Sequence, residues 1–299
     1  MFGKKISKGA NAVVTGAGSG IGRAFALEIV RRGGRVVCAD INIERAQETV
    51  DLIMDMVAGK MKNPDLVFVE QAWAVKCDVS KLKDVQALAD KAERIFGGTE
   101  GGTDGDTAID LVVNNAGVGA GGKPVGETTI DDWKWTIGVN LWGVIHGCHV
   151  FAPRLRKKGA AKKCGIINVA STASFAAAPL MSAYNVTKAG ALALSETLAA
   201  EMAGTGVNVT ALCPTFVKTN IAKDGRIDAA SSKFANKLME WTGVSADGVV
   251  KETLNALDKG QLYVLPQLDA RMIWRMKRLM PRSYTRGAGL LARVAAKAF

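Results

Sequence analysis

The chain has 299 residues and a mass of 31.5 kDa, with 48% hydrophobic and 22% charged residues, which excludes wholesale disorder and fits one large α/β domain or two small ones. Its apolar stretches are broken by Gly, Ser, Asn or a charge before 18 residues, against a transmembrane helix, and the N-terminal apolar run is too short for a signal peptide. Of the net charge of +11, eight positive charges lie in residues 270–299, which contain no acid, so the body lacks the basic footprint of a nucleic-acid binder.

Apolar runs and amphipathic patterns then alternate along the chain. Residues 11–15 predict a strand and 20–32 a helix with Ile21, Phe25, Ile29 and Val30 on one face. A strand at 35–40, a helix at 43–58, a strand within 66–77 and a helix at 81–96 follow. Residues 97–107 hold five glycines in eleven and read as a surface loop. Next come a strand at 109–113, a long helix at about 129–157, a strand at 165–170, a helix at 182–203 and a strand at 207–212. A helix at 245–258 and a strand at 261–265 complete the series. Continuous apolar strands between helices predict a doubly wound parallel sheet with helices on both faces, a Rossmann-like α/β domain. The expected division is a domain over 1–266, with a lid at about 216–243, and a basic helical tail over 267–299.

Between the first strand and first helix stands Thr15-Gly16-Ala17-Gly18-Ser19-Gly20-Ile21-Gly22. Glycines there allow positive φ, close approach to a pyrophosphate and tight helix–strand packing, while the helix N-terminus offers free N–H groups to an anion. The candidate cofactor contacts are Gly16, Ser19, Gly20, Ile21 and Gly22, with Asp40 and Ile41 at the end of the second strand. A carboxylate at 40 suits both hydroxyls of an adenosine ribose and repels a 2′-phosphate, and neither Ile41 nor Asn42 supplies an arginine, so NAD is expected over NADP. The alternative use of Asp40 is to cap the next helix. Tyr184 and Lys188 stand four residues apart on one helical face, where an ammonium and a cationic nicotinamide would favour the phenolate of a tyrosine acid/base.

The chain resembles the short-chain dehydrogenases/reductases. The resemblance rests on TGAGSGIG (15–22), CDV (77–79), NNAG (114–117), the Asn in VNLWG (139–143), Ser171 thirteen residues before Tyr184, YNVTK (184–188) and CPTFVKT (213–219), in order over residues 10–265. It implies catalytic roles for Asn140, Ser171, Tyr184 and Lys188: Ser171 orienting the substrate oxygen, Tyr184 exchanging its proton, Lys188 holding the nicotinamide ribose and Asn140 positioning a relay water. It implies that Asn114 and the backbone of Ala116 and Gly117 line the cofactor channel, that Asp78 and Val79 contact adenine, and that Pro214, Thr215, Val217 and Thr219 hold the carboxamide end. The family's usual glycine after the proline is Thr215 here.

An uncharged stretch at 172–183 suggests an apolar wall from Phe175, Pro179, Leu180 and Met181, joined by lid residues Ile221, Phe234, Leu238, Met239 and Trp241. With no obvious fixed cation, the pocket suits a lipophilic alcohol or ketone, steroid-like or long-chain. The alternative is that these residues pack the lid or a subunit contact. His146 and His149 are too few for a metal site and read as ordinary helix residues, and five scattered cysteines suggest free thiols in a reducing, cytoplasmic setting. In the tail, Met272, Ile273, Met276, Leu279 and Met280 share one helical sector, with Trp274 among the basic residues opposite, and Leu290, Leu291 and Val294 group in a second helix. Two readings stay open: a peripheral helix on an anionic membrane, or a helix docked on the domain or a partner subunit. The leading function is an NAD-dependent oxidoreductase acting as a homodimer or homotetramer. A non-catalytic NAD(H)-binding scaffold acting through the tail is the alternative, and an epimerase or dehydratase would need a larger second domain.

Overall fold

Valine- and alanine-rich runs become the strands of one sheet in the computed structural model, which describes residues 5–59, 70–97, 107–219, 225–228 and 243–298, with side chains up to 293. The strands are β1 (Asn11–Thr15), β2 (Arg35–Asp40), β3 (Ala72–Lys76), β4 (Leu111–Asn114), β5 (Ala120–Gly121), β6 (Cys164–Val169), β7 (Val207–Leu212), β8 (Arg226–Ile227) and β9 (Tyr263–Val264). Seven form a parallel sheet in the order β3-β2-β1-β4-β6-β7-β9, and β5 pairs with β8 in a separate ribbon.

Alternation along each strand divides its side chains between two cores. Ala12, Val14, Val36 and Val113 face α1 (Gly20–Arg31), α2 (Ile43–Ala58) and α8 (Ala246–Asp258). Val13, Val37, Val112 and Ile166 face α3 (Leu82–Phe96), α5 (Gly143–Gly159) and α7 (Ser182–Glu201). Both faces are covered, so both alternating sets are apolar, and the strands read as unbroken apolar runs.

The expected helix over 129–157 is α4 (Ile130–Ile137), a π-turn at Gly138–Trp142 and α5, which runs to Gly159. Of the strand expected within 66–77, residues 66–69 lie outside the described residues, as do most of the glycine-rich stretch 97–107 and the lid residues Ile221, Phe234, Leu238, Met239 and Trp241. The five cysteines are free and buried. Among the described residues no helix is long and apolar enough to cross a membrane.

The tail forms α9 (Leu268–Leu279) and α10 (Pro281–Ala298). Helix α9 docks on the domain. Gln267 accepts from the Thr215 N–H at 3.1 Å and donates to the Phe216 carbonyl at 3.1 Å. Trp274 packs edge-on to Phe175, with ring centres 4.9 Å apart, and lies 5.1 Å from Tyr263. The docked face thus holds Trp274 and the buried Ala270, not the methionine sector that its amphipathic pattern marks as apolar.

One buried carboxylate ties three elements together. Asp110, before β4, accepts from Lys158 of α5 at 2.8 Å, from Lys162 at 2.7 Å and from the Asn11 N–H of β1 at 3.1 Å. These partners hold its carboxyl below the usual carboxylate range against the opposing cost of burial. Asp110→Ala should therefore cost about 3 kcal/mol in urea unfolding, because Lys158 loses its carboxylate while remaining largely covered. Lys162→Ala, at the more exposed end, should cost under about 1 kcal/mol. Since the folded-state pKa is the lower one, this contribution is complete above the ordinary value of 3.8 and fades as pH falls below it.

Candidate active site

The glycine turn lies where α1 meets the C-terminal end of β1. Gly16 has φ +63°, and a Cβ on Gly22 would stand 2.0 Å from the Gly16 carbonyl oxygen, so α1 seats against the turn only with glycine at 22. No side chain caps α1 at Ser19, which leaves its first-turn N–H groups for an anion. The Asp40 carboxylate reaches back to this turn: it accepts from the Gly18 N–H at 2.9 Å and the Asn42 N–H at 3.0 Å. The cap of α2 is Asn42, whose side chain accepts from the Arg45 N–H, so capping is not the work of Asp40. Ile41 is exposed beside it. Thr219 approaches the turn from the other side, its Cγ2 3.0 Å from where a Cβ on Gly20 would stand.

Several residues that brace this turn escaped the motif reading. Asn115 donates to the carbonyls of Thr15 and Gly16 at 2.8 and 3.1 Å. Arg23 reaches the Gly18 carbonyl at 2.5 Å, and Thr49 donates to that of Ala17 at 2.9 Å. Asn115 sits inside the quoted NNAG and was within reach of sequence reasoning; Arg23 and Thr49 carry no local signal. Arg45 also lies over the turn: a Cβ on Gly18 would be 2.7 Å from the Arg45 Cβ and 2.8 Å from an Asp40 carboxylate oxygen. An arginine missing from positions 41 and 42 is therefore present one helical turn later. The tight turn, the uncapped helix and a carboxylate at its edge fit a dinucleotide.

The catalytic set converges at the ends of β4 and β6. Ser171 follows β6, is buried, and its side chain is hydrogen-bonded with that of Tyr184. Lys188 is buried one turn along α7, with Nζ donating to the Val169 carbonyl at 2.9 Å and lying 5.8 Å from the Tyr184 ring centre. Asn140 occupies the π-turn, an extra-residue distortion that recurs at functional sites. Its amide is held by the Val118 backbone, accepting at 2.7 Å and donating at 2.9 Å. A Cβ on Gly117 would meet the Asn140 Oδ1 at 3.2 Å and the Lys188 Nζ at 3.3 Å, so both groups face one small space beside Gly117.

The electrostatics of this set differ from the sequence expectation. Burial raises the Tyr184 phenol above its ordinary value, and only the Ser171 hydrogen bond opposes it. Burial likewise lowers the Lys188 ammonium from 10.5 to about 8. Desolvation penalises both charged forms and exceeds the opposing effects of Ser171 on the phenol and of Cys213 on the amine.

Other expected contacts divide. The Asn114 side chain is buried: its Nδ2 donates to Asn168 at 2.8 Å, in the space left by Gly147. Ala116 is tied to the turn by its N–H on Thr15 at 3.1 Å. Asp78 takes its hydrogen bonds from Ser80 and pairs with Lys81 at 3.2 Å, while the Val79 carbonyl meets His146 at 2.9 Å. Pro214 accepts from the Thr172 N–H at 2.9 Å, and Val217 is buried against the core with its backbone bridged to Val244. Thr215, in place of glycine, donates its hydroxyl to Asp269 at 3.2 Å and so anchors α9.

A cleft of about 350 Å³ opens beside Ser182 and Ala183, next to Tyr184 in the chain. Its lining includes Leu180 and Ile227 but also Lys123, Arg226, Asp132 and Asp228. The expectation of a pocket without cations fails there, because the β5–β8 ribbon brings in side chains distant in sequence. Arg226 is paired with Asp132 at 2.9 Å and stacked on Trp135. Phe175 is not in this wall; it is covered by Trp274.

Comparison with known proteins agrees with this geometry. The family model described as short chain dehydrogenase matches residues 10–230. The chain is 29% identical over 280 residues to "Probable oxidoreductase EphD" of Mycobacterium tuberculosis, of which it spans only 43% of the length. It is 31% identical over 281 residues to 1-deoxy-11-beta-hydroxypentalenate dehydrogenase of Streptomyces exfoliatus, covering 91% of each chain. A short chain dehydrogenase/reductase from Burkholderia phymatum, solved in complex with NAD, superposes with a TM-score of 0.79 at 33% identity, covering 92% of this chain and 95% of that one. With the glycine turn at the β1–α1 junction and Ser171, Tyr184, Lys188 and Asn140 gathered at the strand ends, the chain belongs to the short-chain dehydrogenase family.

Proposed function

We propose that this protein is an NAD-dependent oxidoreductase of lipophilic secondary alcohols or ketones. The observation that carries the reading is the convergence of Ser171, Tyr184, Lys188 and Asn140 beside a glycine turn whose edge holds Asp40. When bound, the nicotinamide accepts or returns the hydride. Ser171 orients the substrate oxygen, and Tyr184 exchanges the proton with it. Lys188, held on the Val169 carbonyl, supplies positive charge near the phenol, and Asn140 shares with it the small space through which a proton can be exchanged. Asp40 favours NAD, and the Burkholderia phymatum relative was solved with NAD. Arg45 beside the same turn favours a second reading in which NADP is also accepted.

For the substrate, the relative in Streptomyces exfoliatus is named as a dehydrogenase of 1-deoxy-11-beta-hydroxypentalenate. The cleft at Leu180 and Ile227 would hold an apolar body, with a charge-balanced rim at Lys123, Arg226, Asp132 and Asp228. We further propose that residues 1–266 form the catalytic unit and that copies pair through the helical stretches at about 129–157 and 182–203, where Trp142 of the π-turn and Val186 of α7 are half exposed.

Absorbance at 340 nm with NAD⁺ or NADP⁺ and a panel from short aliphatic to steroid-like alcohols tests this reading. Turnover should favour NAD⁺ and the bulkier lipophilic alcohols, and Tyr184→Phe should reduce kcat by about 10²–10⁴. Nucleotide binding without turnover on any panel member would favour the scaffold alternative. Asp40→Ser should shift the ratio of kcat/KM values toward NADP⁺, and an unchanged ratio would remove Asp40 as the discriminating group.

Lys188 gives an independent check. In the cofactor-free protein its amine should titrate near pH 8, protonated below and neutral above, when followed by NMR of isotopically labelled lysine. A midpoint at the ordinary 10.5 would show that the amine is hydrated rather than buried.

A further inference from the structure

Helix α9 rests on the domain through one narrow face, and the opposite face is apolar and open. Ala270 and Trp274, four residues apart, are the docked side. Leu268, Met272 and Met276, also four apart, continue to Leu279 and Met280 on the far side, with exposures of 72, 54, 42, 80 and 51%. Leu290 and Leu291 of α10 are 62 and 72% exposed. A monomer seldom leaves so many large apolar side chains in water on one short stretch without covering them.

The charge beside these side chains identifies what covers them. Arg275 flanks the α9 stripe, and Arg282, Arg286 and Arg293 continue along α10, in a segment without an acid beyond Asp269, whereas Arg271 pairs with Glu252 at 3.2 Å and Arg278 lies over the Trp274 ring on the docked side. A second copy of this chain would bring the same cations to the contact, within a protein already at +11, so self-association through this face is opposed by like charge. An anionic lipid surface meets both requirements: acyl chains take the leucines and methionines while headgroups take the arginines.

We propose that the exposed face of α9, continued by α10, seats the protein on anionic bilayers as a peripheral membrane helix. This goes beyond the oxidoreductase reading and does not depend on it. The seat is fixed to the domain, because Gln267 and Asp269, at the start of the helix, bind Thr215 and Phe216, and Trp274 packs edge-on to Phe175. The membrane-facing helix is thus held by the loop that follows Pro214 at the active site.

The test is co-sedimentation of the full chain with vesicles of phosphatidylcholine alone or with 30% phosphatidylglycerol, roughly the anionic share that makes a surface attractive to basic helices. Binding to the anionic vesicles should be at least about tenfold tighter than to the neutral ones and should weaken as salt rises from about 0.1 to 0.5 M. The variant Met272→Ser/Met276→Ser/Leu279→Ser should lose it, and so should Arg275→Gln/Arg282→Gln/Arg286→Gln, both with unchanged circular dichroism. Absence of binding to anionic vesicles would overturn the proposal. So would binding that both variants retain. If vesicles are not bound and sedimentation velocity shows a dimer that the serine variant dissociates, the face belongs to a second copy. Because the readout is lipid binding, failure here leaves the dehydrogenase reading standing, and absence of turnover leaves this one standing.

Discussion

Strands β1 and β4 lie side by side, yet the chain leaves them toward opposite edges of the sheet: β1 leads to β2 and β3, β4 to β6, β7 and β9. The connections nearest this junction cross over with one hand, so α1 and α2 cover one face while α5 and α7 cover the other and the two pairs diverge above it; only further out does α8 return to the face of α1. The gap they leave at the strand ends is the site on which the remaining chemistry depends. The glycine turn after β1, Asn115 and Gly117 after β4, Ser171 after β6 and Pro214 after β7 all open onto it. Each is placed there by where a strand stops, and contacts among them, such as Asn115 on the Gly16 carbonyl and Ser171 on that of Pro214, brace the set.

Burial at that junction sets the state of the catalytic pair. Enclosing Lys188 lowers its pKa while enclosing Tyr184 raises that of the phenol, so desolvation makes both groups easier to hold neutral. The cost is limited by fixed dipoles: the Val169 carbonyl for the amine and Ser171 for the phenol. The π-turn serves the same purpose, since it turns the Asn140 amide onto the Val118 backbone and presents its oxygen beside Lys188 and Gly117.

The C-terminal helices follow a different logic. Thr215 follows Pro214, and its N–H and hydroxyl donate to Gln267 and Asp269. Thr215 is thus the attachment point of α9. Attachment by one aromatic and a few polar contacts leaves the apolar stripe of the helix outward.

Much of the fold was legible in the residues themselves. Strand and helix positions came from local periodicity, and the glycine turn, Ser171, Tyr184 and Lys188 from spacing within short motifs, because both signals are carried by neighbours in the chain. Contacts between distant segments were not legible. Arg23, Thr49 and Arg45 at the turn, the hydrogen bond of Asn114 to Asn168, the charged rim at Arg226 and the choice of Trp274 over the methionines as the docked face all arise from packing. Sequence determined which elements form and which residues can do chemistry; tertiary structure alone decided which way each side chain faces and how burial moves its charge, because desolvation and steric fit depend on groups brought together from elsewhere in the chain.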